Sequence, residues 1–125
     1  MRLKEFFKQN FWLLLLVSAT IIHFAISLKL ALYWYDTFNL GKYDLGNTVQ
    51  VIHNTLQGKL FTYTDRFGTQ ISRLSNHADF ILLLFVPFFA IFHSSLVLVI
   101  AQCLALSLGG LVIYILSRAI GLSKV

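Results

Sequence analysis

Three long apolar runs, with one polar interval between the first and second, set the plan of this chain. Phe11 to Leu28 reads FWLLLLVSATIIHFAISL and carries no charge. An uncharged run of this kind is long enough to cross a bilayer, which takes roughly 20 apolar residues. It continues into LKLALYWY, where Tyr33, Trp34 and Tyr35 are the amphipathic aromatic residues that collect at a membrane–water boundary. A cleaved signal sequence has a shorter apolar core and ends at small residues, so the pattern predicts an uncleaved transmembrane helix over 11–35. The second run, FILLLFVPFFAIF (Phe80 to Phe92), is short for a span. It predicts a short transmembrane or re-entrant helix over 78–93, with Asp79 favourable in its first turn and a kink at Pro87. His93-Ser94-Ser95 then makes a tight polar connection in which either serine can cap the next helix. The third run, Leu96 to Leu116, is closed by Arg118 and predicts a transmembrane helix over 95–118. Its SLGG stretch (Ser107 to Gly110) supplies the small residues that let membrane helices approach closely.

The polar interval, 36–77, has its own periodicity. Leu45, Val49, Ile52 and Leu56 recur at steps of four, three and four, one face of a helix, while Asn47, Gln50, Asn54 and Gln57 fall on the other faces. Gly58 is a natural stop. The pattern predicts an amphipathic surface helix over 45–57, with its stripe against lipid. Beyond it, LFTYT and TQISRL flank Asp65-Arg66-Phe67-Gly68, which predicts a short β-hairpin. The fold class is therefore an all-α membrane protein. It has about three transmembrane helices and a long first loop that holds a surface helix and a small hairpin.

Composition agrees with this plan: 58% of the 125 residues are hydrophobic and 12% are charged, against about a quarter charged in soluble domains. The net charge of +5 is not read as a nucleic-acid surface, because basic residues also orient membrane segments. Arg2, Lys4 and Lys8 precede the first span, which places the N-terminus in the cytoplasm and the long loop outside. The one cysteine, Cys103, lies within the third run; it allows no disulfide within the chain and reads as a packing residue.

Beyond the N-terminal tail the acids are Asp36, Asp44, Asp65 and Asp79, all in the long loop or at its edges. Asp44 stands just before the amphipathic helix. It reads either as a helix cap, a role aspartate fills well, or as a catalytic base or metal ligand. His77 precedes the second run on the same side. His23, inside the first span, reads as a hydrogen-bonding contact between helices or as a functional intramembrane group. His53 reads as polar surface on the amphipathic helix. The spacing of Asp44, His77 and Asp79 matches no fixed metal-ligand pattern, and no phosphate-binding glycine loop, nucleophile elbow or HExxH motif occurs.

From Tyr43 to Arg118, YDLG, then HNTLQGKLF, then SRLSNHADFILLLFVPFFAIF and the third run resemble a family of predicted polytopic membrane proteins of bacteria and archaea. That family is grouped with the GT-C glycosyltransferases. His53 stands where an aromatic is common there, and His93 where a proline is common. The resemblance implies the N-terminal part of a GT-C-like integral membrane glycosyltransferase in a bacterial or archaeal cytoplasmic membrane. Its donor would be a polyprenyl-phosphate-linked sugar, and the first extracytoplasmic loop would form part of the active site. It implies that Asp44 is the catalytic residue, as a base or as the ligand of a divalent metal ion. It also implies that His77, Gln50, Asn54 and Tyr43 contact substrate. Enzymes of this type have many more spans, so the partners implied are membrane lipids and further membrane helices or subunits, without which the chain is expected to be inactive. The chain also fits a small non-enzymatic membrane protein, acting as assembly partner or scaffold, and a transporter fragment.

The charge pattern predicts that a cysteine at Thr62, in a Cys103→Ala background, reacts with a membrane-impermeant thiol reagent added to intact cells. Labelling seen only after lysis reverses the topology.

Overall fold

The computed structural model describes residues 10–122, with backbone only at Lys42 and Tyr43; Arg2, Lys4 and Lys8 lie outside the described residues. The elements are α1 (Phe11–Asp36), a turn of π-helix (Lys42–Gly46), α2 (Asn47–Leu56), β1 (Thr62–Thr64) and β2 (Gln70–Ser72). After a short 3-10 turn (Arg73–Ser75), a 3-10 helix (Phe80–Phe85) runs into α3 (Val86–Phe92), and α4 (Leu96–Ala119) follows. The described residues are mostly helical, with one small sheet. Two helices are long and apolar enough to cross a membrane, α1 with 26 residues and α4 with 24. The expected middle span is not among them. Residues 80–92 form two short helical pieces of different pitch, six residues of 3-10 and seven of α.

The chain divides into two compact units. One comprises the N-terminal segment through Leu30 and the segment from Ala101. Here Ser107 is buried, and the position of a Cβ on Gly110 would stand 3.5 Å from a methyl of Leu16. Ser107 and Gly110 of the SLGG stretch thus face α1 at close range, as small residues in membrane helices do.

The second unit, Ala31–Ile100, has a true core. Val51 and Ile52 are wholly buried, together with Phe61, Tyr63, Leu82 and Phe89. This corrects the expected face of the amphipathic helix. Ile52 of the predicted stripe is covered by protein rather than lipid, Val49 packs at the margin of the same cluster, and Leu56 is 41% exposed. The reason is that the loop after α2 and residues 80–92 supply aromatic and aliphatic side chains of their own, so the apolar face of α2 is buried within the unit. The period was right, but the buried arc is centred on 51 and 52.

The hairpin is antiparallel, with Thr62 opposite Ser72, Tyr63 opposite Ile71 and Thr64 opposite Gln70. Asp65 builds its turn: one carboxylate oxygen accepts from the backbone N–H of Phe67 (2.9 Å) and of Thr69 (2.8 Å). Gly68 takes the left-handed conformation, φ 83°, which costs glycine nothing. At the entry to β1, Phe61 is buried at φ 53°, a conformation rarely adopted by a residue with a side chain. It is held by three partners. Its N–H donates to the Thr55 hydroxyl (3.0 Å), its carbonyl accepts from the Arg73 N–H (2.6 Å), and its ring meets Phe80 edge to face at 5.9 Å.

Pro87 is not a mid-helix kink. It lies in the first turn of α3, where its missing N–H removes no helical bond; the change of pitch comes before it. His93 ends α3 in the left-handed conformation, φ 50°. The Ser94 hydroxyl accepts from the N–H of Leu96 (3.2 Å) at the start of α4, and Ser95 shares a hydrogen bond with the Tyr35 hydroxyl (2.9 Å). The connection therefore assigns capping to one serine and tethering to the other.

Ile52→Ala is expected to cost about 2–5 kcal/mol, the usual range for opening a cavity in a packed core. Leu56→Ala is expected to cost less than about 1 kcal/mol. Denaturant unfolding of the purified protein in detergent measures both, and equal losses would mean that Ile52 is not the core residue.

Candidate functional site

Three polar side chains of α2 face the hairpin. The Gln50 carboxamide spans Thr64, accepting from its backbone N–H (3.1 Å) and donating to its hydroxyl (2.9 Å). Asn54 donates to the carbonyl of Thr62 (2.9 Å), and Thr55 holds Phe61 as described above. Two outward-facing backbone groups of β1, the Thr64 N–H and the Thr62 carbonyl, are thus satisfied by helix side chains, and the Thr62 N–H donates to the Lys59 carbonyl (3.4 Å). Gln50 and Asn54 are where the sequence placed sugar contacts; the structure shows these amides joined to the hairpin.

The hairpin and its flanks border an open groove of about 680 Å³. Tyr63, Thr64 and Ile71 form the strand side, Asp65, Arg66 and Phe67 the tip, and Asn47 and Asn76 the flanks. Asn76 donates to the Tyr63 hydroxyl (3.1 Å), and the Arg66 guanidinium lies 4.7 Å from the centre of the Phe67 ring. Amides, a carboxylate and an aromatic ring are groups that bind sugar hydroxyls and the apolar face of a sugar ring. Sequence reading missed this groove, because Asn47, the tip residues and Asn76 are far apart along the chain and share no period.

Asp44 sits in the π-helical turn, exposed, and does not line the groove. The cap position of α2 is Gly46, which lies in helical conformation, and no side chain caps the helix. The capping reading of Asp44 is therefore set aside: its backbone carbonyl accepts from the Thr48 hydroxyl (2.7 Å), while its carboxylate has no hydrogen bond or ion pair among the described residues. The chain enters α2 through a π turn, so Asp44 lies inside helical coil two residues before the cap position at Gly46. His77 is exposed, and its backbone N–H donates to the Arg73 carbonyl (2.9 Å); its ring has no partner among the described residues. The side chain of Tyr43 lies outside the described residues.

Asp79 has a different role from the one expected. It precedes the 3-10 helix without capping it, and its carboxylate pairs with the Arg73 Nε at 2.7 Å. Arg73 in turn stands 5.9 Å from the centre of the Tyr63 ring. The pair ties the strand exit to the start of residues 80–92. Among the described residues, no three of His, Cys, Asp and Glu gather as a metal site. Asp44 alone offers one carboxylate to a divalent ion, which does not make a protein-built site.

Gln50→Ala is expected to leave the Thr64 N–H without its partner and to lower its protection against hydrogen exchange by about 1 kcal/mol. Amides within α1 and α4 should be unchanged. Uniform loss of protection throughout the chain would show a global role instead.

No curated protein and no solved structure matches the chain. The family described as "Predicted membrane protein (DUF2079)" matches residues 34–125, from the aromatic end of α1 through α2, the hairpin, α3 and α4. With most of its length so matched, and with two membrane-capable helices, this chain is a membrane protein that belongs to that family.

Proposed function

We propose that the chain is the N-terminal portion of an integral membrane glycosyltransferase of GT-C type, taking its sugar from a polyprenyl-phosphate donor. The observation that carries this reading is the uncommitted carboxylate of Asp44. It is exposed, it caps no helix, and no cation or donor among the described residues engages it. An acid without a hydrogen bond or ion pair among the described residues, in a tight helical turn beside an organised polar loop, is a candidate for chemistry.

In this reading, the donor's lipid tail stays in the bilayer and its phosphosugar lies at the interface. The acceptor hydroxyl attacks the anomeric carbon. The Asp44 carboxylate takes the hydroxyl proton as the new glycosidic bond forms, and the bond from the anomeric carbon to the phosphate oxygen breaks. The pair of electrons leaves on the polyprenyl phosphate. The exposed ring of His77 is available to the phosphate. Gln50 and Asn54 act by fixing the hairpin, and Tyr43, the neighbour of Asp44, contributes to substrate contact. The N-terminus is cytoplasmic and the loop faces outward.

The test uses the protein in its native membrane assembly, reconstituted in liposomes with a polyprenyl-phosphate sugar. Asp44→Asn removes the charge at constant size and is expected to lower transfer by roughly 10²–10⁴-fold with normal insertion. Asp79→Asn loses only a partly exposed ion pair and is expected to keep most activity. If Asp79→Asn abolishes transfer while Asp44→Asn does not, the wrong carboxylate has been chosen. If neither matters, this reading of the loop fails.

A further inference from the structure

His23 and Ser107 form a polar pair at the centre of the two long helices. His23 is the thirteenth of the 26 residues of α1, and Ser107 the twelfth of the 24 of α4. At 1.5 Å per residue each lies about 18 Å from its helix ends, beyond the half-thickness of about 15 Å of a hydrocarbon core. Neither boundary of the bilayer brings water to them.

The geometry fixes the direction of the pair's two hydrogen bonds. The Ser107 hydroxyl has one hydrogen, and it goes to the Cys103 carbonyl at 2.7 Å, since a carbonyl oxygen can only accept. The 2.8 Å contact between Ser107 Oγ and His23 Nδ1 must then be donated by the imidazole. A neutral ring that carries its proton on Nδ1 presents a bare lone pair at Nε2. No described residue donates to Nε2. His23 is exposed. Ile22 and Ile26, beside it in sequence, are also exposed, at 59% and 55%.

We propose that this face of α1 is the docking surface for another membrane helix, of different sequence, that presents a hydrogen-bond donor at mid-bilayer depth to Nε2 of His23. An unmet acceptor in hydrocarbon costs free energy that a donor helix relieves. The polarity of the site selects the occupant. A second copy of this chain meeting the same face about a two-fold axis sets Nε2 against Nε2, two acceptors with no proton between them. A helix with a serine, threonine, asparagine or tryptophan at that depth supplies the proton. This inference does not depend on the glycosyltransferase reading.

The test places the full chain in liposomes with a polyleucine helix carrying one tryptophan at its midpoint. A second probe, identical except for 1-methyltryptophan, lacks only the N–H. Energy transfer between the labelled chain and each probe gives the two affinities. The tryptophan probe is expected to bind about three- to thirty-fold more tightly, the range for one interhelical hydrogen bond. His23→Leu is expected to abolish the difference while inserting normally. Nitrogen-15 NMR of histidine-labelled chain, with His23 assigned by its loss in that variant, is expected to find the proton on Nδ1. Equal binding of the two probes overturns the proposal, as does a proton on Nε2. Self-association that depends on His23 overturns it too, by giving the face to a second copy.

Discussion

The open edge of a two-stranded hairpin is the constraint on which the second unit depends. A hairpin this short, three residues per strand, is marginal in water by itself. One edge of each strand pairs with the other, and the remaining backbone groups need partners or water. Here α2 takes the place of a third strand. Gln50 meets both the N–H and the hydroxyl of Thr64, and Asn54 meets the carbonyl of Thr62. The same helix, a few residues away, buries Val51 and Ile52 beneath the strands. Polar and apolar faces of one ten-residue helix thus fix the hairpin twice, once by edge and once by packing. Phe61, in its left-handed conformation, is held by the Thr55 hydroxyl, the Arg73 amide and the Phe80 ring.

This arrangement divides the polar residues of the loop into those with structural work and those without. Gln50, Asn54, Asp65 and Asp79 are engaged: two on the strand edge, one in the turn, one with Arg73. Asp44 and His77 are exposed, and their side chains have no partner among the described residues. A residue left over after the backbone and the charges are satisfied is a better candidate for chemistry than one chosen for its type alone. By the same test, Asn47 at the edge of the groove has more freedom to meet a ligand than the Gln50 amide one turn further along the helix.

What the sequence made legible is what depends on near neighbours along the chain. The two long helices needed only the length of their apolar runs, and the hairpin only the turn Asp65 to Gly68 between alternating residues. What it hid depends on partners distant in sequence. The stripe 45, 49, 52, 56 located a helix and gave its period, but which arc is buried depends on what covers it. Phe61, Tyr63, Leu82 and Phe89 come from later in the chain, and they shift the arc to Val51. The Asp79 carboxylate read as a helix start because that rule is local, whereas its pairing with Arg73 depends on the path of the chain between them. Asp44 failed as a cap for an equally physical reason: a π turn carries the chain into α2, so the cap position moves two residues on, to Gly46. No periodic signal marks a π turn.

The two units meet the same requirement, that each polar group find a partner, under different solvents. In the loop, water is an alternative partner, so an exposed Asp44 or His77 costs little, and leaving it uncommitted is tolerable. At the middle of α1 and α4 there is no such alternative. Ser107 is satisfied twice, as donor to Cys103 and as acceptor from His23, and the second ring nitrogen has no partner among the described residues. An apolar residue at 23 would have packed in lipid without that demand. A histidine there adds nothing to the stability of two helices in hydrocarbon that Leu or Phe would not add more simply, beyond one hydrogen bond to a serine already engaged with its own backbone. Its second nitrogen is the part the pair does not use, so the physical sense of a histidine at that depth rests on a contact made from outside the pair.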